Sequence, residues 1–268
     1  VPEFELWAQA EFGNYPALPA APDPVAVDTL LDALLSSCSP VIVCGGGVVI
    51  SRGEASLSEF AETLNLPVAT TISGQGSLPE THPNCVGVVG SNGGIEATRK
   101  IIDNADLVLF LSCRAGSVTT ERWSSPNHKT RILHIDSDPM VISANYPTEV
   151  GMVCDARLGL NALNSALRKR GEISTEFRGK ERASVAKSEK AKYFAELSGS
   201  SASPILPERL IADLQKVLPE DAVIVADPGT PCPYVSAYYE LPKAGRYFIS
   251  NRAHGALGYS MPATIGAA

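Results

Sequence analysis

The chain has 268 residues, 44% of them apolar and 19% charged, with a net charge of −7. That balance belongs to a globular protein with a sizeable core and excludes a disordered chain. The acidic charge and the lack of a basic run exclude a general nucleic-acid or anionic-membrane surface, and no apolar run approaches the ~18 residues of a spanning helix.

Residues 1–24 are proline-spaced and weakly periodic, without the charged and apolar regions of a signal peptide, and read as an interdomain linker. The first residue is Val1 rather than Met, as expected of a chain that starts inside a longer protein. From Pro24 helix and strand alternate. "VAVDTLLDALLSS" has helical apolar spacing, "PVIVC" is a short buried strand, "GEASLSEFAETLNL" is helical and "PVATT" is the next strand. Downstream, "GGIEATRKIIDN" is helical, while "ADLVLFLS" and "TRILHID" are the continuous apolar runs that a parallel strand covered on both faces requires. "VGMVC" is a last strand before the helix "ARLGLNALNSALRKR". These elements predict an α/β fold, a doubly wound parallel sheet of five or more strands over residues 25–170.

Residues 171–204 are charged, poor in large apolar residues and serine-rich at their end, and read as an exposed helix and a linker. Helix and strand resume over residues 205–268, which read as the truncated start of a second α/β domain. The six cysteines, Cys38, Cys44, Cys85, Cys113, Cys154 and Cys232, form no C-x-x-C pair. They read as reduced core residues of a cytoplasmic protein.

A doubly wound sheet binds ligands at the carboxyl ends of its strands, where strand order reverses. Gly45, Gly46 and Gly47 stand at one such end, either as a cradle for a phosphate or as a tight strand-to-helix turn. Asp136 and Asp138 end another strand, where a carboxylate can accept from a ribose, although Asp138 before Pro139 also reads as a helix start. Arg114 follows "ADLVLFLSC" and is placed to grip a phosphate, unless it pairs with a nearby carboxylate such as Glu121.

The order "PVIVCGGGV…PVATTISGQGSLPETHP…ADLVLFLSCRAG…ILHIDSDP…VCDA" resembles the central domain of thiamine-diphosphate-dependent enzymes of the acetolactate synthase, benzoylformate decarboxylase and pyruvate oxidase group. "VIVADPGTPCPYVSAYY" and "RYFISNRAHGALGYSMPATIGAA" resemble the opening of that family's diphosphate-binding domain, and the nearest likeness is to acetolactate-synthase-like proteins. The resemblance implies a Rossmann-like, DHS-type central domain followed by part of the diphosphate-binding domain. It implies thiamine diphosphate and Mg²⁺ as cofactors, and decarboxylation of a small-molecule 2-oxo acid with protonation or carboligation of the product. It also implies a homodimer or homotetramer at full length.

By the same resemblance, Pro228, Gly229, Thr230 and Pro231 touch the diphosphate, with Gly-Thr-Pro standing where many members have Gly-Gln-His. Gly255 contacts the pyrimidine, and Leu257 wedges beneath the cofactor to hold it bent, the other reading being an ordinary core leucine. His254 faces the active site or is an uncommitted loop histidine. The activating glutamate and the Gly-Asp-Gly metal motif have no counterpart in these residues, so no catalytic or metal-binding residue is assigned.

In flavin-containing relatives the loops at Gly45 to Gly47, Thr71 to Ser73, Gly90 to Asn92, Arg114 and the Asp136/Asp138 pair surround FAD. Here Asn92 replaces the usual histidine and "CRAGSVTTERW" replaces Asp-Asp-Arg-Val-Thr-Gly, so FAD binding and a glycine hinge both stand. The rival activities are a flavin-linked 2-oxo acid oxidase and a non-catalytic nucleotide-binding module.

Overall fold

A computed structural model describes residues 18–171, 173 and 177–268. Most of the expected opening linker, residues 1–17, lies outside the described residues. Its last part runs into helix α1 (Pro24–Leu35), where Asp23 accepts from the amide of Val25 and Pro24 sits in the first turn. A proline gives up nothing there, because the first amides of a helix have no partner within it.

Strands β1 (Pro40–Cys44), β2 (Val68–Thr70), β3 (Cys85–Val88), β4 (Leu107–Leu111), β5 (Arg131–Asp136) and β6 (Val150–Val153) form one parallel sheet in the order β3-β2-β1-β4-β5-β6. All residues of β1 and β4 are buried. Side chains alternate along a strand, so each strand feeds two cores. Ile42 and Leu109 point into one, with Leu31 and Leu34 of α1, Leu57 and Phe60 of α3 (Glu54–Thr63), and Leu160 and Leu163 of α5 (Ala156–Arg170), where α2 is the short Gly47–Ile50 turn between β1 and α3. Val41, Val43, Val108 and Phe110 point into the other, under Ala97 and Ile102 of α4 (Glu96–Asp103).

β3 is a sixth strand that periodicity misses. It is an edge strand of four residues, contains Gly87 at φ 105° and pairs with β2 across a register shift, so it lacks the long apolar run of its neighbours. The expected exposed helix within residues 171–204 is α6 (Gly179–Ser198), exposed over most of its surface but with Ala183 and Ala186 buried in the second core. Phe177, just before it, joins the first core. The burying residues are alanines one turn apart, which let a helix lie close to the sheet without the large apolar stripe that marks amphipathicity. Asp138 does not begin a helix. It accepts from the amide of Met140 through its carboxylate and from that of Val141 through its carbonyl, closing a turn that ends at left-handed Ser143.

After α7 (Pro207–Val217) comes a parallel pair, β7 (Ile224–Val225) and β8 (Phe248–Ile249), connected through α8 (Pro231–Tyr238) and followed by α9 (Ser260–Ala267). Ile211, Cys232, Val235 and Phe248 pack with Val88 of β3 and with Ile72 of the turn after β2, so the two parts share a third core. Five of the six cysteines are buried free thiols and Cys38 is exposed. Burial pushes Cys85, Cys113 and Cys154 up to about 12, which keeps them protonated and inert. No helix among the described residues is long and apolar enough to cross a membrane.

Candidate functional site

Strand order reverses between β1 and β4, and the loops leaving these two strands part there. The gap is a cleft of about 610 Å³, lined on one side by Gly45, Gly46 and Gly47, on the other by the Ser112–Thr119 loop, and closed by Ser73 and Arg252. This is the crevice in which doubly wound sheets take their ligands.

The three glycines are needed first by the protein itself. The Gly45 amide donates to Leu111 O at 2.8 Å, and a Cβ on Gly45 would stand 1.9 Å from Ser112 O. A Cβ on Gly47 would meet the Ser112 side chain at 2.4 Å. The bare backbone therefore lets the β4 loop close against the β1 loop. Only Gly46, whose Cβ would lie 3.0 Å from Ser73 O, is not overrun in this way.

The β4 loop is held in a costly conformation. Ser112 and Ala115 are left-handed, and so are the consecutive Glu121, Arg122 and Trp123, at roughly 1–2 kcal/mol for each such residue. Two contacts fix it. Buried His134 meets Cys113 O through Nε2 at 2.9 Å, and Asn145 Nδ2 donates to Arg114 O at 2.9 Å. A carbonyl only accepts, so Nε2 carries the proton, and burial pushes the imidazole below its ordinary pKa.

Arg114 is exposed at the rim, on the cleft side. Glu121 does not pair with it: its carboxylate takes Arg99 Nη1 at 2.7 Å, because the left-handed turn carries Glu121 toward α4. Asp136 and Asp138 are outside the cleft lining. Asp136 is buried and accepts from the Asp138 amide at 3.0 Å. Thr71 caps the turn Ile72–Gly74 beside the cleft, and Ser91 N donates to Val118 O at 2.9 Å, tying the Gly90–Asn92 loop to the β4 loop.

The second set of predicted residues gathers at the ends of β7 and β8. Pro228–Pro231 leads into α8, and Leu257 reaches it, since a Cβ on Gly229 would stand 3.0 Å from Leu257 Cδ2. Leu257 is 74% exposed, so it is not a core leucine. Gly255 is left-handed at φ 66° with nothing near it, and His254 is exposed, its amide donating to Asn251 Oδ1 at 3.4 Å.

Two residues that sequence reasoning passed over organise this corner. Asp227 accepts from the amides of Gly258 and Ser260, both at 2.7 Å, clamping the Leu257 loop to the end of β7. Arg252 donates through Nη1 to Pro228 O at 3.0 Å. With the Asn92 amide oxygen turned toward it, Nη2 reaches that side chain at 3.0 Å, so Arg252 links both sets of loops. The available signal was a charged residue two or three positions after each short strand, "VIVAD" and "FISNR".

The two amide donors hold Asp227 below the usual carboxylate range. A depressed folded pKa means that the clamp contributes above the unfolded value, ~4, and is lost as pH falls through the lower folded value. We expect protection of the Gly258 and Ser260 amides, measured against their intrinsic exchange rates, to fall away in acid. Asp227→Asn should remove that acid step, and an unchanged profile would rule the clamp out.

Ser58, His82 and Glu62 also meet, but not as a nucleophile with its base. The Asn84 amide donates to His82 Nδ1, which leaves the proton on Nε2 for Glu62, and Ser58 Oγ donates to the same carboxylate. The imidazole nitrogen facing Ser58 carries the proton, so His82 cannot serve as the base for that hydroxyl. Among the described residues no three His, Cys, Asp or Glu side chains are grouped for a metal ion.

The sheet order and the switch-point cleft define the class: a doubly wound α/β protein. The family described as thiamine pyrophosphate enzyme, central domain, matches residues 27–163, and the chain belongs to that family. It is 31% identical over 252 residues to the probable acetolactate synthase large subunit of Methanocaldococcus jannaschii, covering 91% of this chain and 41% of that protein. It is 29% identical to the acetolactate synthase isozyme 3 large subunit of Escherichia coli, over 88% of this chain and 41% of the relative. For acetolactate synthase 2, chloroplastic, of Nicotiana tabacum, the figures are 28%, 96% and 38%. The chain thus spans about two fifths of the length of these relatives.

Proposed function

We propose that the chain is the central part of an acetolactate-synthase-like enzyme that decarboxylates a 2-oxo acid and joins the product to an acceptor carbonyl. The observation that carries this reading is the approach of Leu257 to Gly229 in the Pro228–Pro231 turn, held by Asp227 and Arg252. The residues fit thiamine diphosphate in one respect that the structure tests: an aliphatic side chain stands uncovered beside a bare glycine at the ends of two parallel strands. Pro228, Gly229, Thr230 and Pro231 would border the diphosphate, Gly255 the pyrimidine, and Leu257 the bend between the rings. When bound, thiamine diphosphate supplies the electron sink for decarboxylation. The chain's own residues orient it: Asp227 fixes the Leu257 loop, and Arg252 fixes the carbonyl of Pro228.

These residues do not by themselves fit Mg²⁺, having no grouped ligands among those described. We read residues 25–170 as the central domain, 171–204 as its connection and 205–268 as the start of the diphosphate-binding domain. The third core, built mainly from residues after 205 although Ile72 and Val88 reach into it, supports that division. The buried free thiols support a cytoplasmic protein, and the relatives named as large subunits support an oligomer, read here as a homodimer or homotetramer. The full-length protein with thiamine diphosphate, Mg²⁺ and pyruvate should release CO₂ and form acetolactate, whereas the 268-residue chain alone should do neither. A full-length protein without 2-oxo acid turnover would refute the assignment.

We also propose that the switch-point cleft binds FAD or another nucleotide, with Arg114 on a phosphate. No carboxylate among the described residues pairs with this guanidinium, and the cleft volume lies within the ≈300–1,000 Å³ typical of ligand sites. Calorimetric titration of the chain with FAD, ADP and coenzyme A should show one of them binding more tightly than about 1 mM, a free energy of ~4 kcal/mol, with loss in Arg114→Ala. A flavin absorbance spectrum of the full-length protein separates FAD from the others. If none binds, the glycines serve loop packing alone.

A further inference from the structure

A second cavity lies away from the cleft and the cofactor loops, where the edge strand β3 meets α6, α7 and the end of α8. It measures about 360 Å³ and is walled by Glu80, Val86, Lys187, Lys190, Phe194 and Tyr238, among others. Its size is at the small end of ligand sites.

The chemistry of its wall is incomplete. Glu80 is 4% exposed, and of its two carboxylate oxygens Oε1 accepts from Gln75 Nε2 at 3.1 Å while Oε2 is buried with no partner. A buried carboxylate left half satisfied is expensive, and a group that donates to it recovers that loss. Burial pushes Glu80 above the usual carboxylate range, and the Lys190 ammonium pulls it back. No ion pair joins the two among the described residues, so a ligand lying between them could meet both. Lys187 donates to His82 O at 2.9 Å and is fixed at the rim. The apolar wall is organised as well, with Phe194 and Tyr238 stacked at 4.9 Å and 8°. Gln215 holds the end of α8 in place through both backbone groups of Glu240, at 2.8 and 3.1 Å.

We propose that this cavity binds an aromatic α-amino acid, its ammonium on Glu80 Oε2, its carboxylate toward Lys190 and its ring against Phe194 and Tyr238. An α-amino acid carries a donor cation and an acceptor anion on one carbon beside an apolar group, the complement of a carboxylate, an ammonium and an aromatic wall. The inference is independent of the cofactor reading, since it uses none of those residues.

The test is calorimetry and thermal shift of the 268-residue chain with L-phenylalanine, phenylpyruvate, which lacks the ammonium, and phenethylamine, which lacks the carboxylate. Phenylalanine should bind saturably and more tightly than about 1 mM, and both analogues should bind at least tenfold more weakly. Glu80→Gln and Lys190→Met should each weaken phenylalanine at least tenfold. Ala191→Phe, a change at an exposed α6 position on the cavity wall, should block it even if a change at buried Glu80 perturbs folding. Absence of phenylalanine binding, equal binding of all three compounds, or wild-type affinity in the variants would overturn the proposal and leave Oε2 to an ordered water.

Discussion

Gly45→Ala is expected to destabilise the protein by about 3 kcal/mol, the upper end of the usual 1–3 for overpacking. The new methyl would lie 1.9 Å from Ser112 O and 2.7 Å from Cys113 Cα, both main-chain atoms that cannot rotate aside. Relief requires β1 and β4 to part where the Gly45 amide donates to Leu111 O, in the middle of the sheet. Gly116→Ala is the control, because a Cβ there meets nothing within 4 Å, and it should be neutral or slightly stabilising. Denaturant midpoints at unchanged slope measure both. A loss below ~1 kcal/mol for Gly45→Ala would mean that the loops yield easily and that packing does not explain the glycine run.

Leu257→Ala should separate stability from turnover. At 74% exposure the side chain contributes little to the fold, so the substitution should move the stability of the 268-residue chain by no more than ~0.5 kcal/mol. In the full-length enzyme it should lower kcat by about 10²-fold, the scale on which a misplaced reacting group slows catalysis. Leu257→Met, which keeps an apolar side chain of similar reach, should restore most of that loss. Unchanged kcat in Leu257→Ala, with a fall of several degrees in the melting temperature of the cofactor-free full-length protein, would make Leu257 a packing residue instead.

The parallel sheet was legible where local pattern carries it. β1, β4 and β5 are short apolar runs between helices, and a strand buried on both faces has no other composition open to it. The glycine run after β1, the arginine after β4 and the family likeness were legible for the same reason, being ordered along the chain. β3 and the packing of α6 were not, since a four-residue edge strand and an alanine-lined helix face acquire their meaning only from the surfaces they cover.

By itself, then, the sequence determined the class of fold, the family and the two stretches proposed for a cofactor site. Only the tertiary structure decided what each group in those stretches touches. Gly45 is bare because Ser112, far along the chain, returns beside it, and Glu121 belongs to Arg99 because a left-handed turn swings it away from Arg114. Asp227 and Arg252 hold the Leu257 loop and the Pro228 carbonyl because β7 and β8 lie side by side. Local periodicity reports which face of an element is apolar. Which loops share a strand edge depends on the order in which strands pair, and that is settled by the packing of the whole sheet.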